Sequence, residues 1–180
     1  MDLHAFALTV GNSGLGEWMR TNVRAMPMVE ALHVLAAATV FGTVLVVDLR
    51  LLGLPDIKRA VTRISGEMLH FTWVAFGLAV VTGVMMFAAN ANTYYGNTAF
   101  RIKLLALAAA GLNMAIFHFG AYRSVASWDR DQPSPRAAKL AAALSILLWI
   151  SVIFVARWIG FTKGYDFKVP DDINLDLSIP

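Results

Sequence analysis

Residues 140–156 read LAAALSILLWISVIFVA and contain no charged side chain. A helix that crosses a bilayer needs about 20 predominantly apolar residues, and the wider stretch 137–159 has that length. Three further apolar stretches of similar length, 26–47, 68–89 and 102–122, precede it. The sequence therefore predicts an all-α membrane protein in which four transmembrane helices form a bundle.

The composition agrees with this fold class. Hydrophobic residues make up 58% of the chain and charged residues 15%, whereas soluble domains contain about 25% charged residues. The chain has no cysteine, which excludes disulfides, thiolate metal sites and cysteine nucleophiles. The net charge of +3 is not gathered into a basic run. We therefore expect the lipid bilayer and other protein subunits as partners, and no nucleic acid.

The four spans form a single domain, residues 1–160, which a polar C-terminal tail, 161–180, follows. The residues before the first span lack the positive start and long apolar run of a signal peptide, and we interpret them as a short interfacial helix. Four spans place both termini on one side of the membrane, which we name the first side. Lys and Arg are slightly more numerous in the loops of the opposite, second side. This predicts periplasmic termini in a bacterial inner membrane.

The tail carries an alternating pattern near its end. From Ile173 to Ile179 every second residue is apolar, as in a half-buried extended segment. We expect this segment to lie against another protein chain.

Two histidines are predicted to lie at the same depth near the second side. His70 stands at the start of the second span and His118 near the end of the third, and these helices run antiparallel. Gly77 and Gly111 lie two turns deeper, each on the face of its histidine. Two imidazoles and a gap lined by small residues are what a bis-histidine haem b requires. The alternative is a pair of hydrated histidines whose neighbouring glycines serve only close helix packing.

Charged residues near the second side suggest two further contacts. Arg63 and Arg123 are candidates to bind the haem propionates. Asp48 and Arg50, at the end of the first span, we interpret as an interfacial ion pair.

A second group of titratable residues lies toward the first side. Glu30 and His33 are about one turn apart on the first span, and Lys103 opens the third. Ionisable residues within a span are functional candidates by default, so these three predict a quinone-head or proton-entry site. His33 could instead ligate a second haem, for which the candidate partners are Met85, Met86 and His4. The alternatives are a structural Glu30–His33 pair and a Lys103 that extends to the interface.

Several motifs resemble a family of small bacterial four-helix membrane proteins of unknown function. They are Pro27-x-x-Glu30-x-x-His33, Gly42, Asp48-Leu49-Arg50-Leu51-Leu52-Gly53, Thr82-Gly83, Asn97-x-x-Phe100-x-x-Lys103 and Asn113-x-x-x-x-His118. A looser, fold-level likeness is to four-helix haem membrane proteins, including the copper-resistance D-type and protoporphyrinogen-oxidase J-type groups. Those proteins also have a Thr-Gly in one span and a lysine opening the next. The likeness implies haem binding but matches no family motif at His70.

Together these patterns predict a b-type cytochrome-like subunit that passes electrons between a quinone pool and a partner redox protein. Haem b, and also quinone, are the expected cofactors. As an enzyme, the protein would be at most a subunit of a membrane oxidoreductase. The alternative is a cofactor-free structural or accessory subunit of a larger membrane complex.

Overall fold

The computed structural model describes residues 3–54 and 58–162, and the predicted contact of the tail with another chain lies outside these residues. Every regular element in the described part is a helix. The α-helices are α1 (Leu3–Gly11), α2 (Gly14–Thr21), α3 (Ala25–Leu52), α4 (Val61–Ala89), α5 (Ala91–Gly96), α6 (Thr98–Phe119) and α7 (Arg136–Thr162); a 3₁₀ helix (Ala121–Ser127) follows α6.

Four of these helices, α3, α4, α6 and α7, are long and apolar enough to cross a bilayer. This confirms the predicted fold class, a multi-pass membrane protein with short helices before the first span. The main difference is the start of α4, which lies at Val61 rather than at Met68. Residues 61–67 are too polar to be recognised as part of a span, but contacts described below hold them in the helix.

The helix α3 is the centre of the bundle. It packs most extensively against α4 and also contacts α7, while α7 packs against α6. Small buried residues, such as Ala36 of α3 and Ala75 of α4, allow the helices to approach closely. Polar contacts also cross the bundle inside the spans. The hydroxyl of Thr72 donates to that of Thr43 at 2.8 Å, and Asn113 Nδ2 donates to the Ala141 carbonyl at 2.9 Å.

Short helices cover the first-side end of the bundle. Arg20 of α2 donates from Nη1 to the carbonyls of Ala88 and Ala89, at 3.4 Å and 3.2 Å, where α4 ends and its last carbonyls lack helical partners. A Cβ on Gly16 would lie 2.5 Å from the Gly11 carbonyl oxygen and 2.7 Å from that of Ala88. Only glycine therefore allows α2 to approach α4 this closely.

A buried arginine joins the loops at the second-side end. Arg50, which is only 2% exposed, donates from Nε to the Arg59 carbonyl at 2.6 Å and from Nη2 to the Asp129 carbonyl at 3.0 Å. Gly53 follows α3 with a φ of 91°, in the left-handed region that glycine favours. The Asp-Leu-Arg-Leu-Leu-Gly motif thus ends α3 and fixes both connections at this end.

Asp129 caps α4 from a distant loop. Its Oδ1 accepts from the Thr62 backbone N–H and its Oδ2 from the Thr62 hydroxyl, both at 2.8 Å. The N-cap position itself is Ala60, whose side chain makes no capping bond. Partial burial alone would raise the pKa of the Asp129 carboxyl. The hydrogen bonds from Thr62 and Val61 and the charge of Arg50 have a larger, opposite effect, so the pKa lies below its usual value.

We expect Asp129→Asn to destabilise the protein by about 0.3–1 kcal/mol, because the neutral amide loses the negative charge at the N-terminus of α4 and one of the two oxygens that accept from Thr62. Because folding lowers the pKa of Asp129, its contribution to the free energy of unfolding is complete above about pH 3.9, the ordinary aspartate pKa. This contribution disappears as the pH falls through the lower pKa that Asp129 has in the folded protein. Thermal unfolding in detergent at several pH values tests this. The matched control is Asp131→Asn, at an exposed residue with a φ of 58° that asparagine tolerates. Equal melting temperatures for Asp129→Asn and wild type at neutral pH would contradict the cap.

Candidate functional site

The imidazole of His33 forms a hydrogen bond inside the spans. It is half-buried on α3, and its Nδ1 lies 3.0 Å from Oγ1 of Thr82 on α4. Thr82 is itself only 3% exposed. The hydrogen bond therefore joins the two most extensively packed helices inside the protein.

The contacts of Thr82 determine which nitrogen of His33 carries the proton. A hydroxyl has one hydrogen to donate, and that of Thr82 points to the backbone carbonyls of Leu78 at 2.7 Å and Ala79 at 3.2 Å. Thr82 must then accept from His33, so Nδ1 carries the hydrogen. The Ala79 carbonyl, which can only accept, also hydrogen-bonds the ring. In the neutral ring this leaves Nε2 as a proton acceptor or metal ligand.

Gly83 forms the surface on which the ring lies. A Cβ at this position would approach Cε1 of His33 to 3.3 Å and Nδ1 to 3.7 Å. Any larger residue would therefore displace the imidazole. Thr82 and Gly83 together fix both the protonation and the position of the ring.

His33 lines a small, partly open cavity of about 30 Å³, enough for one or two water molecules. The remaining lining residues come from α4, α5 and α6: Gly83, Met86, Phe87, Tyr94, Phe100 and Lys103. The rings of Phe87 and Phe100 stack with centroids 5.7 Å apart, and the Lys103 ammonium lies 5.3 Å from the Phe100 centroid. The cavity thus combines a cation, an imidazole and an aromatic wall.

The structure brings together the predicted first-side residues around this cavity. Lys103 and His33 both line it. Glu30 lies about one turn before His33 with an exposed side chain, close enough to act on the imidazole electrostatically. Of the proposed second-haem ligands, both Met85 and Met86 pack against the buried cluster around Met19, and Met86 also lines the cavity.

The pair predicted for haem has a different setting. Both rings are exposed, and His118 stacks on Tyr122 with centroids 4.9 Å apart and an angle of 15° between the rings. His70 lies two residues before Thr72, which contacts α3, so a rotation of about 200° turns His70 away from α3. His118 lies about five turns after Phe100, on the face of α6 that approaches α4. No described contact joins the two rings, and haem ligation by this pair stays a prediction.

The glycines beside these histidines adjoin open space. A Cβ on Gly77 or Gly111 would meet no atom within 4 Å. Among the described elements, α4 and α6 make no extended contact, and near the first side they meet through Phe87 and Phe100.

The remaining second-side candidates contact their own surroundings. Arg63 forms an exposed ion pair with Glu67 at 3.1 Å, and Arg123 lies exposed on the 3₁₀ helix. Neither has a described contact that would identify it as a propionate ligand.

Sequence reasoning did not assign a role to Thr82, which bonds His33, or to four residues that line the cavity: Gly83, Phe87, Tyr94 and Phe100. Thr82-Gly83 and Phe100 stand in the quoted family motifs, and that was the available signal. Tyr94, which is 5% exposed, lies in the cavity wall, where α5 places it.

Residues 16–162 match the model of DUF6644, a family of unknown function. No curated protein and no solved structure matches the chain.

We predict that His33 carries its proton on Nδ1. Nitrogen-15 NMR of the histidine-labelled protein distinguishes the protonated ring nitrogen from the unprotonated one by chemical shift. The variant His33→Gln identifies the resonances of His33. Thr82→Val should release the ring to the Nε2–H form, whereas Thr82→Ser should preserve the Nδ1–H form. The matched control is Thr72→Val, at another threonine of α4 that bonds α3. A wild-type His33 protonated on Nε2 would contradict the assignment.

Proposed function

The chain belongs to this family of unknown function, and we propose from its own residues that it is an electron-transfer subunit that binds quinol at His33. Its setting would be the inner membrane of a bacterium, with the termini in the periplasm and a redox protein as partner. The carrying observation is the hydrogen bond between Nδ1 of His33 and Thr82, which leaves Nε2 of the neutral ring as an acceptor, beside a cavity that Lys103 also lines.

A quinol matches the donor and acceptor pattern of this cavity. Its hydroxyl donates a hydrogen bond, which suits Nε2 of His33, and its second oxygen accepts one, which suits the Lys103 ammonium. The cavity is large enough for the hydroxyl end of such a molecule, and the ring would adjoin the aromatic residues Phe87 and Phe100.

Oxidation of a quinol to a quinone releases two electrons and two protons. His33 would take up one proton at a time through Nε2, while Thr82 keeps the ring in position. Glu30, exposed toward the first side, would pass each proton on to the aqueous phase. The two electrons would go to the redox partner. Lys103 would stabilise negative charge on the quinol oxygen as the proton leaves.

We expect His33→Gln to weaken binding of a short-chain quinol analogue about tenfold, because a buried hydrogen-bond partner is lost. Titration of the purified protein in nanodiscs measures the dissociation constant. The matched controls are His70→Gln and His118→Gln, which make the same change at exposed histidines. Equal weakening in all three variants, or none in His33→Gln, would overturn the proposal.

Haem binding at His33 is the second candidate, because Met86 lies in the same cavity and histidine with methionine is an established haem ligand pair. The described cavity is far too small for a macrocycle, and this favours quinol. Reduced-minus-oxidised absorbance spectra separate the two readings. The quinol proposal predicts that any haem band persists in His33→Gln and Met86→Leu.

The same spectra test the pair at the second side. A haem held by His70 and His118 would lose its band when either residue is replaced by alanine, while His33→Gln would leave the band intact. A protein that shows no haem band and binds no quinol would be the cofactor-free accessory subunit.

A further inference from the structure

The carboxyl group of Asp48 lies buried inside the bundle, far from the cavity at His33. It belongs to the last two turns of α3, and the residue is 6% exposed. Its hydrogen bond comes from the side chain of Ser145 on α7. The second oxygen, Oδ2, has no hydrogen-bond partner among the described residues. The sequence predicts an ion pair between Asp48 and Arg50, but the described contacts of Asp48 do not include Arg50.

Arg50 faces a different direction. Side chains two residues apart on a helix do not face each other. The guanidinium of Arg50 donates to the carbonyls of Arg59 and Asp129 in the second-side loops, whereas Asp48 bonds α7. The contacts thus direct the two side chains to separate parts of the protein.

The other charged groups on the surrounding elements lie nearer the aqueous phase. On α4, Arg63 and Glu67 bind each other at the surface. On α7, Lys139 lies six residues before Ser145, about 9 Å along the helix axis, and Arg136 is exposed at the start of the helix. In the loop, Asp129 is bound to Thr62.

A charged carboxylate in this position would be costly. A buried charge needs a counter-ion and several hydrogen bonds to compensate for lost hydration, and Ser145 supplies one neutral donor. The protonated acid avoids most of that cost, because a neutral hydroxyl is much less strongly hydrated than an anion. Ionisable residues inside membrane helices are commonly parts of proton pathways.

We propose that Asp48 is an intramembrane proton-binding site, which holds a proton at neutral pH. The site is separate from the quinol cavity and does not depend on it. A hydroxyl pair, Thr43 and Thr72, lies about one and a half turns deeper along α3. These groups continue the polar interior of α3 from Asp48 toward the centre of the bilayer.

Dicyclohexylcarbodiimide tests the proposal, because this apolar reagent reacts with protonated carboxyl groups in apolar surroundings. The acid adds across the carbodiimide and rearranges to a stable N-acylurea, so the peptide gains the whole mass of the reagent. We expect mass spectrometry of the full-length protein in nanodiscs to find this adduct on Asp48 at neutral pH. The internal controls, Glu67 and Asp129, should remain unmodified, because the first is ion-paired with Arg63 at the surface and the second is held as a carboxylate by Thr62.

Infrared spectroscopy provides a second measurement that does not depend on access of the reagent. The wild type should show the carbonyl stretch of a protonated carboxylic acid at neutral pH, and Asp48→Asn should lack it. Ser145→Ala should retain both the band and the adduct, and it serves as the variant of choice if Asp48→Asn does not fold. An absent band, or a band that persists in a folded Asp48→Asn protein, would overturn the proposal.

Discussion

Lipid offers polar groups no hydrogen-bond partners, and this constraint determines most of the structure. The backbone responds by forming helices throughout the four spans. Polar side chains within the spans respond by bonding between helices: His33 with Thr82, Thr43 with Thr72, and Asn113 with the Ala141 carbonyl. Each bond joins two packed helices, so the groups that lipid would leave unsatisfied help to fix the order of the bundle.

The position of α3 makes the proposed site possible. Because α3 packs on both α4 and α7, His33 near its first-side end meets Thr82 and Gly83 of α4 on one side and the cavity on the other. The short helix α5 places Tyr94 in the wall of the same cavity. Arg20 joins α2 to the end of α4, so the first-side helices and the site share one rigid support.

Much of the fold could be predicted from the sequence, because four runs of apolar residues leave no alternative to four spans. The site was predicted less completely. Glu30, His33 and Lys103 were recognisable, since ionisable residues stand out in apolar helices. Thr82 was not, because a threonine hydroxyl in a span usually bonds its own helix, and only the structure shows that His33 also binds it.

The sequence predicts a depth for His70 and His118, but it does not predict their direction. Depth follows from position along each span, whereas direction depends on which face of α4 packs against α3. The contact of Thr72 with Thr43 fixes that face, and a run of apolar residues with no polar side contains no information about it. The same limitation applies to Asp48, whose nearest charged neighbour in sequence is Arg50 but whose contact lies on α7.

The most direct test of the quinol site is a nitrogen-15 NMR titration of the histidine-labelled protein with a quinol analogue. The account predicts that the Nε2 resonance of His33 shifts as the analogue binds, while the resonances of His70 and His118 remain unchanged. An unchanged His33 resonance at saturating analogue, or a shift confined to His70 or His118, would contradict it.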